Sequence, residues 1–99
     1  MTIKVGETYT FKLTSGEEVL GKVTAIEDHY ISLKDPVSVA PGPQGLGLMQ
    51  SMFTADPKDP ARLNINNVTI FALTDDSVKA KYIEATTGLV VPDKKIIMG

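Results

Sequence analysis

The chain has one histidine, His29, and it follows two acids in the run Glu27-Asp28-His29. A carboxylate beside an imidazole is raw material for acid–base chemistry. Adjacent residues on an extended chain, however, point apart rather than toward one reacting atom. What remains for His29 is a flat ring able to stack on a nucleobase, with Tyr30 supplying a second ring beside it. Asn64, Asn66 and Asn67 form another group of candidates. Each amide carries donors and an acceptor suited to base edges or phosphates, and none carries charge.

Other chemistries find no residues to support them. The chain has no cysteine, so disulfides, thiolate metal sites and cysteine nucleophiles are ruled out together. One histidine without cysteine does not make a structural zinc site. Ser15-Gly16 is turn chemistry and lacks the Gly-x-Ser-x-Gly frame of a hydrolase nucleophile. No glycine-rich phosphate loop is present. The expectation is a binding protein, not an enzyme, with no metal and no cofactor.

Strands must position these side chains. Tyr9, Phe11 and Leu13 alternate with polar residues, the period of a half-buried strand. Ser15-Gly16 supplies a tight turn, and apolar character resumes at Val19, Gly21, Val23 and Ala25. Glycine weakens a strand interior, so Gly21 marks strong curvature or a close backbone approach. If Ile31 and Leu33 face the core, alternation also turns His29 inward unless a bend at Asp28-His29 breaks the parity.

Residues 40–62 hold four of the six prolines and three of the eight glycines and read as an insert, within which Leu46 to Thr54 could extend the sheet. Met49, Met52 and Phe53 give that insert an adaptable apolar surface. Residues 63–73 return to strand character. Val68 to Leu73 is apolar on both faces, which calls for a cover on each side. A neighbouring subunit over Val68, Ile70 and Phe71 is one such cover; the C-terminal helix is the other. That helix is expected over about Asp75–Thr87, with acids at its positive end, a Val78-Tyr82-Ala85 stripe widened by Ile83, and Gly88 as its stop. The tail beyond it reads as an extra strand or arm broken by Pro92.

Length and charge bound the rest. Ninety-nine residues at 42% hydrophobic content suit one domain with a small core, which oligomerisation would help stabilise. A formal net charge of −2 argues against a surface that attracts phosphate everywhere. It leaves room for a local patch of Lys12, Lys22, Lys34 or Arg62. No apolar run approaches a membrane span, and the opening residues MTIKVGE carry no secretory pattern, so a cytoplasmic location is expected.

The stretch from Phe11 to Val39 resembles the first motif of the Sm-like (Lsm/Hfq) family. Phe11, Leu13, Gly16, Val19, Gly21, Val23, Ile26 and Glu27 fit its pattern of apolar positions, two glycines and a closing acid without a gap. The Hfq branch is similar over Ser15 to Ser38. In the second motif, Leu63 to Val68 aligns in order and matches at Asn67 and Val68. Asn64 and Ile65 replace its Arg-Gly pair, and the Tyr-Lys-His run of Hfq is absent.

The resemblance implies a small, strongly bent, five-stranded antiparallel barrel of the SH3-like type. It would be one domain over 1–99: barrel over 1–73 with a long insert at 40–62, then a C-terminal helix and tail over 74–99. It also implies a homo-oligomeric ring, closed by edge pairing of the last two strands and binding single-stranded, U- or A-rich RNA at its inner rim. Carried over position by position, His29 falls at the base-stacking site, Ile31 at a base-reading Asn and Asn64 at an Arg. The implied RNA contacts are His29, Tyr30, Asn64, Asn66 and Asn67; the implied subunit contacts are Val68, Ile70, Phe71, Met49, Met52 and Phe53. The lost Asn and Arg and the net acidity leave open a ring that serves as a protein scaffold, and a monomeric SH3-like or OB-like barrel stands as a third reading.

Overall fold

The computed structural model describes residues 2–87, and the tail with its expected stop at Gly88 lies outside them. Six strands run along the chain: β1 (Thr8–Leu13), β2 (Glu18–Ile26), β3 (Tyr30–Gly42), β4 (Gly45–Gln50), β5 (Ala61–Asn64) and β6 (Val68–Leu73). A 3₁₀ turn over Ile65–Asn67 joins β5 to β6, and a helix, α1 (Asp76–Thr87), follows. The strands form one antiparallel sheet in the order β4-β3-β2-β1-β6, with β5 also pairing with β3, and the sheet does not close on itself. The sixth strand comes from the insert, where Gly45 at φ 107° lets the chain turn back so that Gly45–Gln50 pairs with residues 37–42.

The long third strand serves two neighbours. Its first half, Tyr30 to Leu33, pairs with β5, and its second half, Val37 to Gly42, pairs with β4. The division falls at Asp35-Pro36. Leu20 pairs with Val37 but Lys22 with Lys34, so Gly21 faces both Asp35 and Pro36 across a bulge. Asp35 takes φ 51°, a left-handed conformation costly for a residue with a side chain. Gly21 has no room for one: a Cβ there would sit 3.2 Å from the Leu33 Cβ and 3.4 Å from the Lys34 carbonyl oxygen. The strand glycine therefore marks both curvature and close approach.

Two apolar clusters lie on opposite faces of the bent sheet. Ile3, Tyr9, Phe11, Val19, Val23, Ile31 and Leu33 form the inner core, with Leu13, Leu63, Ile65, Val68 and Phe71 packed against it. Leu20, Val37, Leu48 and Tyr82 form the second, with Val39 and Val78 beside them, under α1. The helix begins as its sequence predicts. The Asp75 carboxylate accepts from the backbone N–H groups of Ser77 (3.0 Å) and Val78 (3.3 Å), groups with no partner inside the helix. Of the expected stripe, Tyr82 is buried and Val78 and Ala85 half-buried, but Ile83 stays 42% exposed because it lies about 100° round the helix from Tyr82. Among the described residues, no helix is long and apolar enough to cross a membrane.

Candidate nucleic-acid interface

The turn between β2 and β3 carries His29. The Glu27 N–H donates to the Tyr30 carbonyl at 2.8 Å, leaving Asp28 and His29 at the tip. Parity is broken there: Ile31 and Leu33 are buried at 0% and 2% exposure, while His29, two positions earlier, is exposed. Among the described residues its side chain makes no hydrogen bond or ion pair, so neither Glu27 nor Asp28 holds the ring.

The asparagines come to the same place. Tyr30 pairs with Asn64 across β3 and β5, and the Ile65 N–H donates to the His29 carbonyl at 2.9 Å. The Asn64 side-chain oxygen accepts from the Asn66 N–H at 2.9 Å, which starts the 3₁₀ turn. At its far end the Asn67 carbonyl accepts from the Thr14 N–H at 2.8 Å, in the β1–β2 turn. The turn is thus tethered on both sides. It leaves Asn66 and Asn67 exposed beside His29, with Asn64 half-buried and Tyr30 42% exposed. The cluster offers two rings and three amides, and its own charges are the carboxylates of Glu27 and Asp28. The Asn64-x-Asn66 spacing is the signal that residues 63–73 are two strands and not one, because an Asn side chain that satisfies its neighbour's N–H competes with the ladder.

Six residues expected at a subunit interface fall into two separate patches. Among the described residues β6 pairs only with β1, and no described strand lies on its other edge. On it Val68 and Phe71 are half-buried against the inner core, Phe71 lying edge-on to Tyr9 with ring centroids 6.5 Å apart, whereas Ile70 is 65% and Leu73 63% exposed. The helix does not cover this strand; it lies over Leu20, Val37 and Leu48 instead. Met49, Met52 and Phe53 sit beyond the opposite end of the strand order, exposed to 40%, 53% and 73%. Met49 and Met52 line a groove of about 280 Å³ shared with Asp35, Asp56, Asp59 and the end of α1.

Two contributors take their place only from the fold. Arg62 stands in β5 opposite Ser32, two residues before Asn64, a placement that only the register gives. Tyr82 reads as helix core, yet its hydroxyl accepts from the Lys22 N–H at 3.2 Å and donates to the Lys34 carbonyl at 2.6 Å, bridging the strands at the Gly21 bulge. Among the described residues, no group of three or more histidine or acidic side chains could hold a metal ion. No protein-family model matches this chain, and no curated protein is significantly similar to it.

Proposed function

We propose that this chain is a divergent Sm-like domain whose copies pair edge to edge in a homo-oligomeric ring that binds single-stranded RNA. The observation that carries this reading is the hydrogen bond from the Ile65 N–H to the His29 carbonyl, 2.9 Å. It holds two turns far apart in sequence side by side, so that an exposed imidazole and exposed amides face one ligand. In this reading the bent sheet is the barrel of that family, left open where β5 and β6 follow one another without pairing. Those are the edges that a neighbouring copy would fill, and burial of the exposed Ile70 and Leu73 would accompany the pairing.

A base stacks on His29, with Tyr30 at the flank, and Asn64, Asn66 and Asn67 contact its edge or its phosphate. Ile31, where the family places a base-reading Asn, is fully buried in this chain and takes no part. Base choice at each site is therefore weak, and affinity comes from repetition around the ring.

Two observations favour a second reading, a ring that acts as a protein scaffold. Glu27 and Asp28 put two negative charges on the turn that would meet phosphate, and Phe53 and Met52 stand exposed on the insert as a docking surface. Fluorescence anisotropy with labelled U-rich and A-rich RNA at low salt separates the two, with light scattering in the same buffer. Saturable binding by an oligomer supports the RNA ring; an intact oligomer that binds neither strand leaves the scaffold.

A further inference from the structure

The outer face of β2, β3 and β5 carries three cations, Lys22, Lys34 and Arg62, that form no ion pair among the described residues. Lys22 pairs directly with Lys34 across β2 and β3, and Arg62 pairs with Ser32, which lies two residues from Lys34 on the same face. Strand spacing and rise place Lys34 within about 8 Å of each of the other two, about one Debye length at physiological salt, and Lys22 roughly 12 Å from Arg62. All three side chains are exposed, and among the described residues none forms an ion pair. Like charges directly opposite on a sheet destabilise it. Lys12 differs in its neighbour, since its register partner across β1 and β2 is an acid, Glu18. Asp35, next in sequence to Lys34, is set by its left-handed backbone into the groove beside Met49 and Met52.

On a chain of net charge −2, three cations on one face make a local positive patch, which favours an anion there. The face also has direction. Tyr30, Ser32 and Lys34 alternate along β3 toward the same side, and Asn64 and Arg62 do so along β5; Ser32 itself is buried, and exposed Arg62 adjoins the His29 turn through half-buried Asn64 and exposed Tyr30. We propose that Lys22, Lys34 and Arg62 form a phosphate track on which the RNA backbone lies after it leaves the His29–Asn66–Asn67 cluster. This rests on the RNA-binding reading above and extends its footprint from the turn cluster onto the outer sheet. The track takes phosphates and not bases, so it adds affinity and salt dependence without sequence preference.

The test is the salt dependence of binding to a U-rich RNA long enough to span both patches. It compares wild type, the triple variant Lys22→Gln/Lys34→Gln/Arg62→Gln, and His29→Ala. Each phosphate contact on a single strand contributes about 0.7 to the slope of log affinity against log salt. The triple variant is expected to lose about 2 from that slope and to bind at least tenfold more weakly at low salt. His29→Ala is expected to weaken binding at every salt concentration with the slope unchanged. Thermal unfolding controls for folding: relieving Lys22 against Lys34 leaves the midpoint unchanged or raises it. A triple variant that keeps the wild-type slope overturns the track and leaves the turn cluster standing. A wild type that binds no RNA at any salt overturns both, and loss of slope in His29→Ala alone would mean that the phosphate contacts lie at the turns.

Discussion

The Tyr82 hydroxyl lies 2.6 Å from the Lys34 carbonyl oxygen, 48 residues away in sequence, and accepts from the Lys22 N–H on its other side. At the Gly21 bulge the ladder between β2 and β3 changes register, and backbone groups there would face an apolar helix without partners. One phenol answers both. Through these two hydrogen bonds the phenol ties α1 to the sheet's backbone at the point where the sheet bends. Tyr82→Phe keeps the packing and strands both groups. It should lower stability by about 1–3 kcal/mol, read by urea or thermal unfolding at fixed protein concentration.

The same phenol gives a pH dependence. Burial pushes its pKa from 10.0 up to about 12; the hydrogen bond from Lys22 acts the other way, and the negative charge of Asp35 adds to the rise. The unfolded chain loses this proton near pH 10 while the folded chain holds it, so stability is full below pH 10 and falls as pH rises toward 12. Alkaline unfolding should coincide with the late component of the tyrosine titration. Tyr82→Phe should remove that component and flatten the stability curve over that range.

Gly21→Ala tests the curvature. Its Cβ would press on the Leu33 side chain at 3.2 Å and on a backbone carbonyl at 3.4 Å, neither of which can swing away. A loss of about 1–3 kcal/mol is expected, as for overpacking in a core. Gly16, with φ 92° and nothing within 4 Å, should instead suffer through backbone strain. Replacing it with Asn should cost less than replacing it with Ala, since Asn tolerates the left-handed region better.

At the start of α1, the hydrogen bond from the Ser77 hydroxyl, then the N–H groups of Val78 and Ser77, hold the Asp75 carboxyl below its ordinary pKa of 3.8. The stability this gives is present above pH 3.8 and is lost as pH falls through the lower folded-state value. Asp75→Ala should fray the first turn and reduce helical circular dichroism at neutral pH, and Asp75→Asn should preserve most of it because an amide oxygen still caps.

Much of this fold is legible in the residues, and the gaps have physical causes. Alternation and turn chemistry mark β1 and β2, and the acids after Thr74 mark the helix to within one residue of its start. The insert is less readable. Pro41 suggests a break, yet β3 runs through it as it does through Pro36: Pro36 sits at the bulge, and Pro41 is a ladder position two residues before the hairpin turn. β6 looks buried on both faces because five of its six residues are apolar, with Phe71 and Leu73 opposite the core residues Phe11 and Tyr9 and Ile70 opposite Lys12, and hydropathy cannot say whether the second cover is the same chain. The turn cluster is half legible: residue types nominate His29 and the asparagines, but only the β3–β5 register brings them together, and the same holds for Arg62 beside the two lysines.

The outer edge of β6 makes its own prediction. Ile70 is 65% exposed, so Ile70→Lys should leave the isolated fold intact, and an unchanged far-ultraviolet spectrum would confirm that. If copies pair along β6, the charge weakens each contact by roughly 2 kcal/mol or more, the scale of an interface hot spot. Light scattering should then drop from a multiple of 10.7 kDa to the single-chain mass. A wild type that already runs at 10.7 kDa at high concentration would contradict the ring.

The most direct test of the central claim is photo-crosslinking of thiouridine-substituted single-stranded RNA to the wild-type protein, with the attached peptides mapped by mass spectrometry. The account predicts crosslinks on the two turns, at Asp28 to Tyr30 and at Asn64 to Asn67, and their loss from the first turn in His29→Ala. Crosslinks confined to the β3–β4 hairpin or the groove beside Met49 and Met52, with none at either turn, would contradict it.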